Sequence, residues 1–111
     1  MGANDAPPPV REKVRQLAAD PDCARVDEHA RGNMLSWALR VEGVCEAICE
    51  ALDAGERLKM TTVKKHPEFL GGQPAYEIKP TIDERRFYVR MAVYQPVENQ
   101  DALLLISVHL D

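Results

Sequence analysis

Two apolar stretches of the chain carry side chains that could do chemistry: RFYVRMAVY, residues 86–94, and ALLLISVHL, residues 102–110. Two-residue alternation puts Phe87, Val89, Met91 and Val93 on one face of the first, and Tyr88, Arg90, Ala92 and Tyr94 on the other. The same alternation groups Leu104, Ile106, Val108 and Leu110 in the second, and sets Leu103, Leu105, Ser107 and His109 against them. If the two strands pair through the intervening QPVENQD turn, Tyr88 or Arg90 shares an open face with His109 near one end of a sheet. An imidazole titrates near neutral pH and can give or take a proton, while a guanidinium holds an anion. The chemistry on offer is therefore proton transfer beside a bound anion. Plain structural readings compete with it. A histidine this close to the end of the sequence can be merely solvated, Tyr88 can be an amphipathic rim residue, and Arg90 can pair with an acid such as Glu77.

The elements that must position these groups follow from the hydrophobic period. Residues 1–9, with Pro7, Pro8 and Pro9, read as a flexible lead-in, and residues 10–111 as a single α+β domain. A first helix spans about 9–19, with Val10, Val14 and Leu17 in one stripe, and Asp20-Pro21-Asp22 stops it. Asp27 caps a second helix over about 28–38, which Gly32 weakens. A third runs about 42–52, with Val44, Ala47, Ile48, Ala51 and Leu52 facing inward and Gly55 closing it. After Gly55 the period becomes two, and strands are predicted over 57–63, 75–79, 86–94 and 102–110. Helices followed by consecutive strands predict N-terminal helices packed on one face of a roughly four-stranded antiparallel sheet.

Composition narrows the class. The chain has 111 residues, 45% hydrophobic and 29% charged, which is ordinary for a globular domain. No apolar run is long enough to span a membrane, and MGANDAPPPV does not read as a secretory signal, so a cytoplasmic protein without a membrane partner is expected. Cys23, Cys45 and Cys49 are an odd number and read as reduced thiols. Cys45 and Cys49, four residues apart, could be imagined as metal ligands with His29, but read better as small buried apolar groups. Neither a cofactor nor a metal is expected. The formal net charge is −4, yet residues 57–90 hold eight Lys/Arg against four Asp/Glu. A polyanion could be held there, with an affinity that falls as salt is added. No Ser–His–Asp, Walker, Rossmann or HExxH pattern occurs.

Taken in order, VREKVRQL, LRVEGVCEAICEAL, RLKMTT, GQPAYEIKPTI, RRFYVRMAVY and LLLISVH resemble the MqsR family of toxins, from toxin–antitoxin systems, over about Val10 to His109. The resemblance implies a RelE-like α+β fold and a hydrolase: an endoribonuclease that binds and cleaves messenger RNA without metal, arresting translation and growth. It also implies a cognate antitoxin protein as partner. Carried over residue by residue, the family's site falls on Lys59, Gln73, Tyr88 and His109. The family has a lysine where this chain has His109, and the segment between Met60 and Gln73 is longer here. Metal-free cleavage needs a base near the ribose 2′-hydroxyl, a cation at the phosphate and an acid for the leaving 5′-oxygen. On that reading Lys59 and Arg90 neutralise the phosphate, and His109 is the acid or base. Tyr88 positions the phosphate or stacks on a base, and Gln73 hydrogen-bonds the phosphate or a base edge. Lys64, Lys65 and Lys79 hold flanking phosphates.

Two other classes compete. One is a noncatalytic interaction module, such as an immunity protein, an antitoxin or a degenerate toxin, favoured by a sequence pI of about 5.4. The other is a small-ligand or metal-binding domain using Cys45, Cys49 and a histidine.

Overall fold

The computed structural model describes residues 4–63 and 73–111, with Val63 and Gln73 given by their backbones alone. It is an α+β fold with helices α1 (Pro8–Ala18), α2 (Glu28–Ser36) and α3 (Val41–Asp53). The strands are β1 (Ala24–Val26), β2 (Lys59–Val63), β3 (Gln73–Ile78), β4 (Thr81–Ile82), β5 (Arg85–Val97) and β6 (Gln100–Leu110). They form one mixed sheet in the order β1-β6-β5-β3-β2, with β4 paired to β5 off that path. The expected four antiparallel strands correspond to β2, β3, β5 and β6, and two further short strands correct that count. β1 adds a parallel strand, Ala24–Val26 against Leu103–Leu105. β4 returns into β5 through a turn in which Asp83 and Glu84 both have positive φ, the type I′ geometry that suits a two-residue hairpin. No described helix is long and apolar enough to cross a membrane.

The three helices bury their stripes against one face of the sheet. Val14 and Leu17 of α1, Ala30 and Met34 of α2, and Val44, Ile48 and Leu52 of α3 share a core with Ile78, Phe87, Val89, Met91, Leu103, Leu105 and Val108. Each large apolar side chain fully removed from water there contributes roughly 1.5–3 kcal/mol. Polar ties fix the helix pair. Arg15 of α1 makes a two-point bond to the Asp53 carboxylate at 2.9 and 3.0 Å. Arg11 donates to the carbonyls of Leu52 and Glu56 at the C-terminal end of α3, where orphan acceptors and the helix dipole favour a cation. Residues ahead of α1 join the sheet side. The Ala6 N–H donates to the Leu58 carbonyl, and Asp5 bridges Lys59 in antiparallel fashion.

The faces of β6 do not follow the simple alternation expected of them. Arg90 stands opposite Ser107 but Met91 stands opposite Leu105, so Ile106 is an extra residue, a β-bulge. Leu103, Leu105 and Val108 therefore all enter the helix-side core. Leu104 and Ile106 turn the other way and join Ala75 and Ala92 in a second apolar cluster. Ser107 and His109 are on that same side, opposite the helices, through their pairing with Arg90 and Tyr88. The expected grouping of Leu103 and Leu105 with Ser107 and His109 is thereby corrected.

α2 and α3 end alike. The Leu39 N–H donates to Met34 and the Ala38 N–H to Leu35; the Glu56 N–H donates to Ala51 and the Gly55 N–H to Leu52. Both are Schellman closures, which need a left-handed residue one position past the C-cap. α3 uses Gly55 at φ +87°, as its sequence suggested, whereas α2 forces Ala38 to φ +54°. Removing the Cβ of Ala38 relieves about 1 kcal/mol of backbone strain. Ala38→Gly is expected to raise the urea midpoint with the slope of the unfolding curve unchanged, and a lowered midpoint would refute this account of the cap.

Candidate functional site

The open face carries two neighbouring cross-strand rows. Lys59, Glu77, Arg90 and Ser107 stand opposite one another in succession across β2, β3, β5 and β6. Two residues along β5, Tyr88 stands opposite His109. A step of two residues is about 6.6 Å, within reach of long side chains.

The rings of Tyr88 and His109 stack, with centroids 4.7 Å apart and planes 19° from parallel. His109 is exposed, and its Nδ1 lies 3.1 Å from the Leu110 carbonyl oxygen. A carbonyl can only accept, so that bond requires a proton on Nδ1. In the neutral ring Nε2 is then left with a lone pair, able to take a proton from a ligand. Tyr88 is half-buried and donates its hydroxyl hydrogen bond to Glu77. Burial foremost, then that bond and the Glu77 charge, push its phenol up to about 12, against a smaller opposing pull from Arg90. Tyr88 therefore remains a protonated donor and cannot act as a base near neutral pH.

Arg90 is largely occupied by the protein. Its Nη2 donates 2.9 Å to the Thr62 carbonyl and lies 3.5 Å from the Thr61 hydroxyl, reaching over β3 to β2. Its Nε lies 3.9 Å from the Glu77 carboxylate, the pairing anticipated as the plain structural reading of this residue. Lys59 is half-buried, and no ion pair is made by its ammonium among the described residues. Lys59 is thus the cation of this row left available to a ligand.

A cleft of about 550 Å³ opens beside these rows, with Lys59, Glu77 and Tyr88 in its wall. Arg57, Lys79 and Arg86 add three more cations, and Glu56 and Asp111 two more carboxylates. Arg86 lies 3.0 Å from Glu56 and 3.9 Å from Asp111, Lys79 lies 3.5 Å from Asp111, and Arg57 pairs with Asp5. The sheet thus brings Lys59, Tyr88 and His109 to one end, with Arg90 behind them and Lys79 across the cleft. Gln73 is not brought to them: it begins β3 opposite Val63, about 13 Å along the strand from Glu77. Lys64 and Lys65 lie outside the described residues.

Glu77, Arg57, Arg86 and Asp111 were not among the residues singled out for a site. For two of them the signal was present. Glu77 alternates with the buried Tyr76 and Ile78, and one more step of the alternation holding Tyr88 and Arg90 reaches Arg86. The cysteines stand apart from this end of the molecule. Burial raises the thiols of Cys23 and Cys49 and pushes Cys45 up to about 11, which leaves all three as poor nucleophiles. No cluster of metal-ligating side chains occurs among the described residues.

The raised phenol of Tyr88 has a consequence for stability. An unfolded tyrosine loses its proton near pH ~10. The folded chain keeps that of Tyr88 until about 12, so folding stability falls as the pH climbs through that window. Tyr88→Phe should make the decline between about pH 10 and 12 shallower in urea unfolding, the span being set by those two values. An equal decline in both proteins would show that this phenol does not titrate as its surroundings imply.

No family model, no curated protein and no solved structure matches this chain.

Proposed function

We propose that this protein is a metal-independent endoribonuclease, the activity implied by its resemblance to MqsR-family toxins, working in the cytoplasm on messenger RNA and restrained by an antitoxin protein. The observation that carries the reading is the Tyr88–His109 stack: an exposed imidazole with Nε2 free, resting on a tyrosine that shares a cation-lined cleft with the uncommitted Lys59. Nε2 of His109 takes the proton of the ribose 2′-hydroxyl, and the 2′-oxygen attacks phosphorus. The bond from phosphorus to the 5′-oxygen breaks, leaving a 2′,3′-cyclic phosphate, and the departing oxygen is protonated by water. Lys59 neutralises charge gathering on the phosphoryl oxygens. Tyr88 holds the imidazole by stacking, while Arg90 fixes Glu77, which in turn fixes Tyr88. The succession of helices followed by the antiparallel β2-β3-β5-β6 block supports the RelE-like assignment within the same proposal.

A second reading, a noncatalytic interaction module, is favoured by one observation. Leu35 is 74% exposed and Trp37, against which Phe87 packs edge-on at 5.7 Å, is 37% exposed. Apolar groups left in water in this way suit a protein partner. Growth arrest on induction in a bacterial host supports the ribonuclease, and unaffected growth supports the module.

The direct test is end-labelled RNA incubated at low salt with excess EDTA. Defined cuts are expected from the wild type. Loss of a general base lowers rate by about 10²–10⁴, and His109→Ala should fall in that range. Lys59→Ala should fall by at least about tenfold, whereas Gln73→Ala should change the rate by less than about threefold, since its backbone starts so far along β3. Equal cutting by the wild type and a Lys59→Ala/His109→Ala double variant would sink the proposal.

A further inference from the structure

We infer that the cleft beside Tyr88 is a phosphate subsite for the nucleotide next to the scissile bond, held by Arg86 and Lys79, and that the Asp111 carboxylate occupies the phosphate's place when no ligand is bound. The inference rests on the ribonuclease reading for the identity of the ligand, and deepens it by assigning residues outside the Tyr88–His109 pair.

The cleft, at about 550 Å³, is within the usual size range of small-ligand sites, roughly 300–1,000 Å³. Its cations come from separate places in the fold. Arg57 precedes β2, Lys79 follows β3 and Arg86 lies in β5, so pairing of the strands, and no local run of basic residues, assembles them. The chain also supplies an anion there. One Asp111 carboxylate oxygen lies 3.5 Å from Lys79 Nζ and the other 3.9 Å from Arg86 Nε, both longer than a well-made charged hydrogen bond. Arg86 additionally pairs with Glu56 at 3.0 Å. Side chains in these pairs are between 33% and 56% exposed, and ion pairs so wet contribute little. A phosphate brings more oxygens and more charge than a carboxylate, and its geometry suits the planar fork of a guanidinium. Exchange of Asp111 for phosphate therefore breaks only weak contacts. The position is also right for a chain of nucleotides. Tyr88 forms part of the cleft wall and stacks on His109 with its other surroundings on the open face, so a nucleotide in the cleft lies beside the residue proposed to cut.

The test is a titration of the full chain with adenosine 3′,5′-bisphosphate, followed by backbone amide shifts, with inorganic phosphate as a parallel arm. Saturable shifts at Ile78, Lys79, Arg86 and Tyr88 are expected with the bisphosphate, and weaker binding with inorganic phosphate. Arg86→Ala and Lys79→Ala should each weaken the bisphosphate about tenfold, the loss of one charge-assisted contact. Asp111→Asn should tighten it, an effect of opposite sign that an unfolded variant could not mimic. Shifts absent from the cleft, unchanged affinity in the Arg86 and Lys79 variants, or weaker binding by Asp111→Asn would overturn the inference. Inorganic phosphate binding as tightly as the bisphosphate would overturn it too, marking a free-anion site. RNA cutting without cleft binding removes this subsite and leaves the ribonuclease standing. Cleft binding without RNA cutting supports the subsite as a nucleotide site and removes the ribonuclease.

Discussion

The extra residue in β6 opposite Arg90 and Met91 is the feature on which both the core and the candidate site depend. The strand has to satisfy two demands that strict alternation cannot meet together. Its first half must send Leu103 and Leu105 under the helices, and its second half must keep His109 out of them. In an unbroken two-residue period, Leu103, Leu105, Ser107 and His109 all point the same way. Either the imidazole would be buried without partners, at a cost of several kcal/mol if charged, or two leucines would be stranded on the open face. Placing Ile106 as the bulged residue changes the phase once. Val108 then returns to the core and His109 meets Tyr88.

A single carboxylate organises the rows that this phase change creates. Glu77 accepts from Tyr88, pairs with Arg90 and stands opposite Lys59. Because Arg90 also reaches the Thr62 carbonyl, the three strands β2, β3 and β5 are cross-tied on the open face, independently of the helices on the other. Tyr88 is thus held as a hydrogen-bond donor through its contact with a charged acceptor, and its ring offers a fixed surface for the imidazole. The imidazole itself stays exposed, at the end of the sheet where a ligand can reach it.

What the sequence made legible was local. The stripes of α1 and α3, the closing role of Gly55 and the alternation of β5 each depend on residues within a turn or two, and all agree with the fold. The Arg90–Glu77 pair was legible as well, because two opposite charges in phase on adjacent strands have few other places to go. Non-local properties were not. Three residues, Ala24–Val26, carry no period long enough to mark a strand, and only the outer edge of β6 makes them one. The left-handed Ala38 breaks the glycine rule that served for Gly55. Gln73 and Lys59 sit on paired strands, but the register that separates Gln73 from Tyr88 is fixed by the β2–β3 pairing, where Val63 meets Gln73 and Lys59 meets Glu77.

Charge presents the same contrast between local count and assembled structure. Residues 57–90 hold an excess of cations, yet a count of them overstates the field a ligand would meet. Arg57, Arg86 and Lys79 arrive at the cleft already facing Asp5, Glu56 and Asp111, which come from far along the chain. An anion entering the cleft must share those cations with the resident carboxylates. Its net gain in neutralised charge is smaller than the number of basic residues it touches, and so is the counterion release that sets the salt dependence of nucleic-acid binding. Lys59 is the exception, since no described carboxylate pairs with it. Its ammonium makes no ion pair among the described residues although it stands opposite Glu77, and it shares the cleft wall with Tyr88. An acidic protein can in this way keep long-range attraction for polyanions low while leaving one cation without an ion pair in the cleft wall.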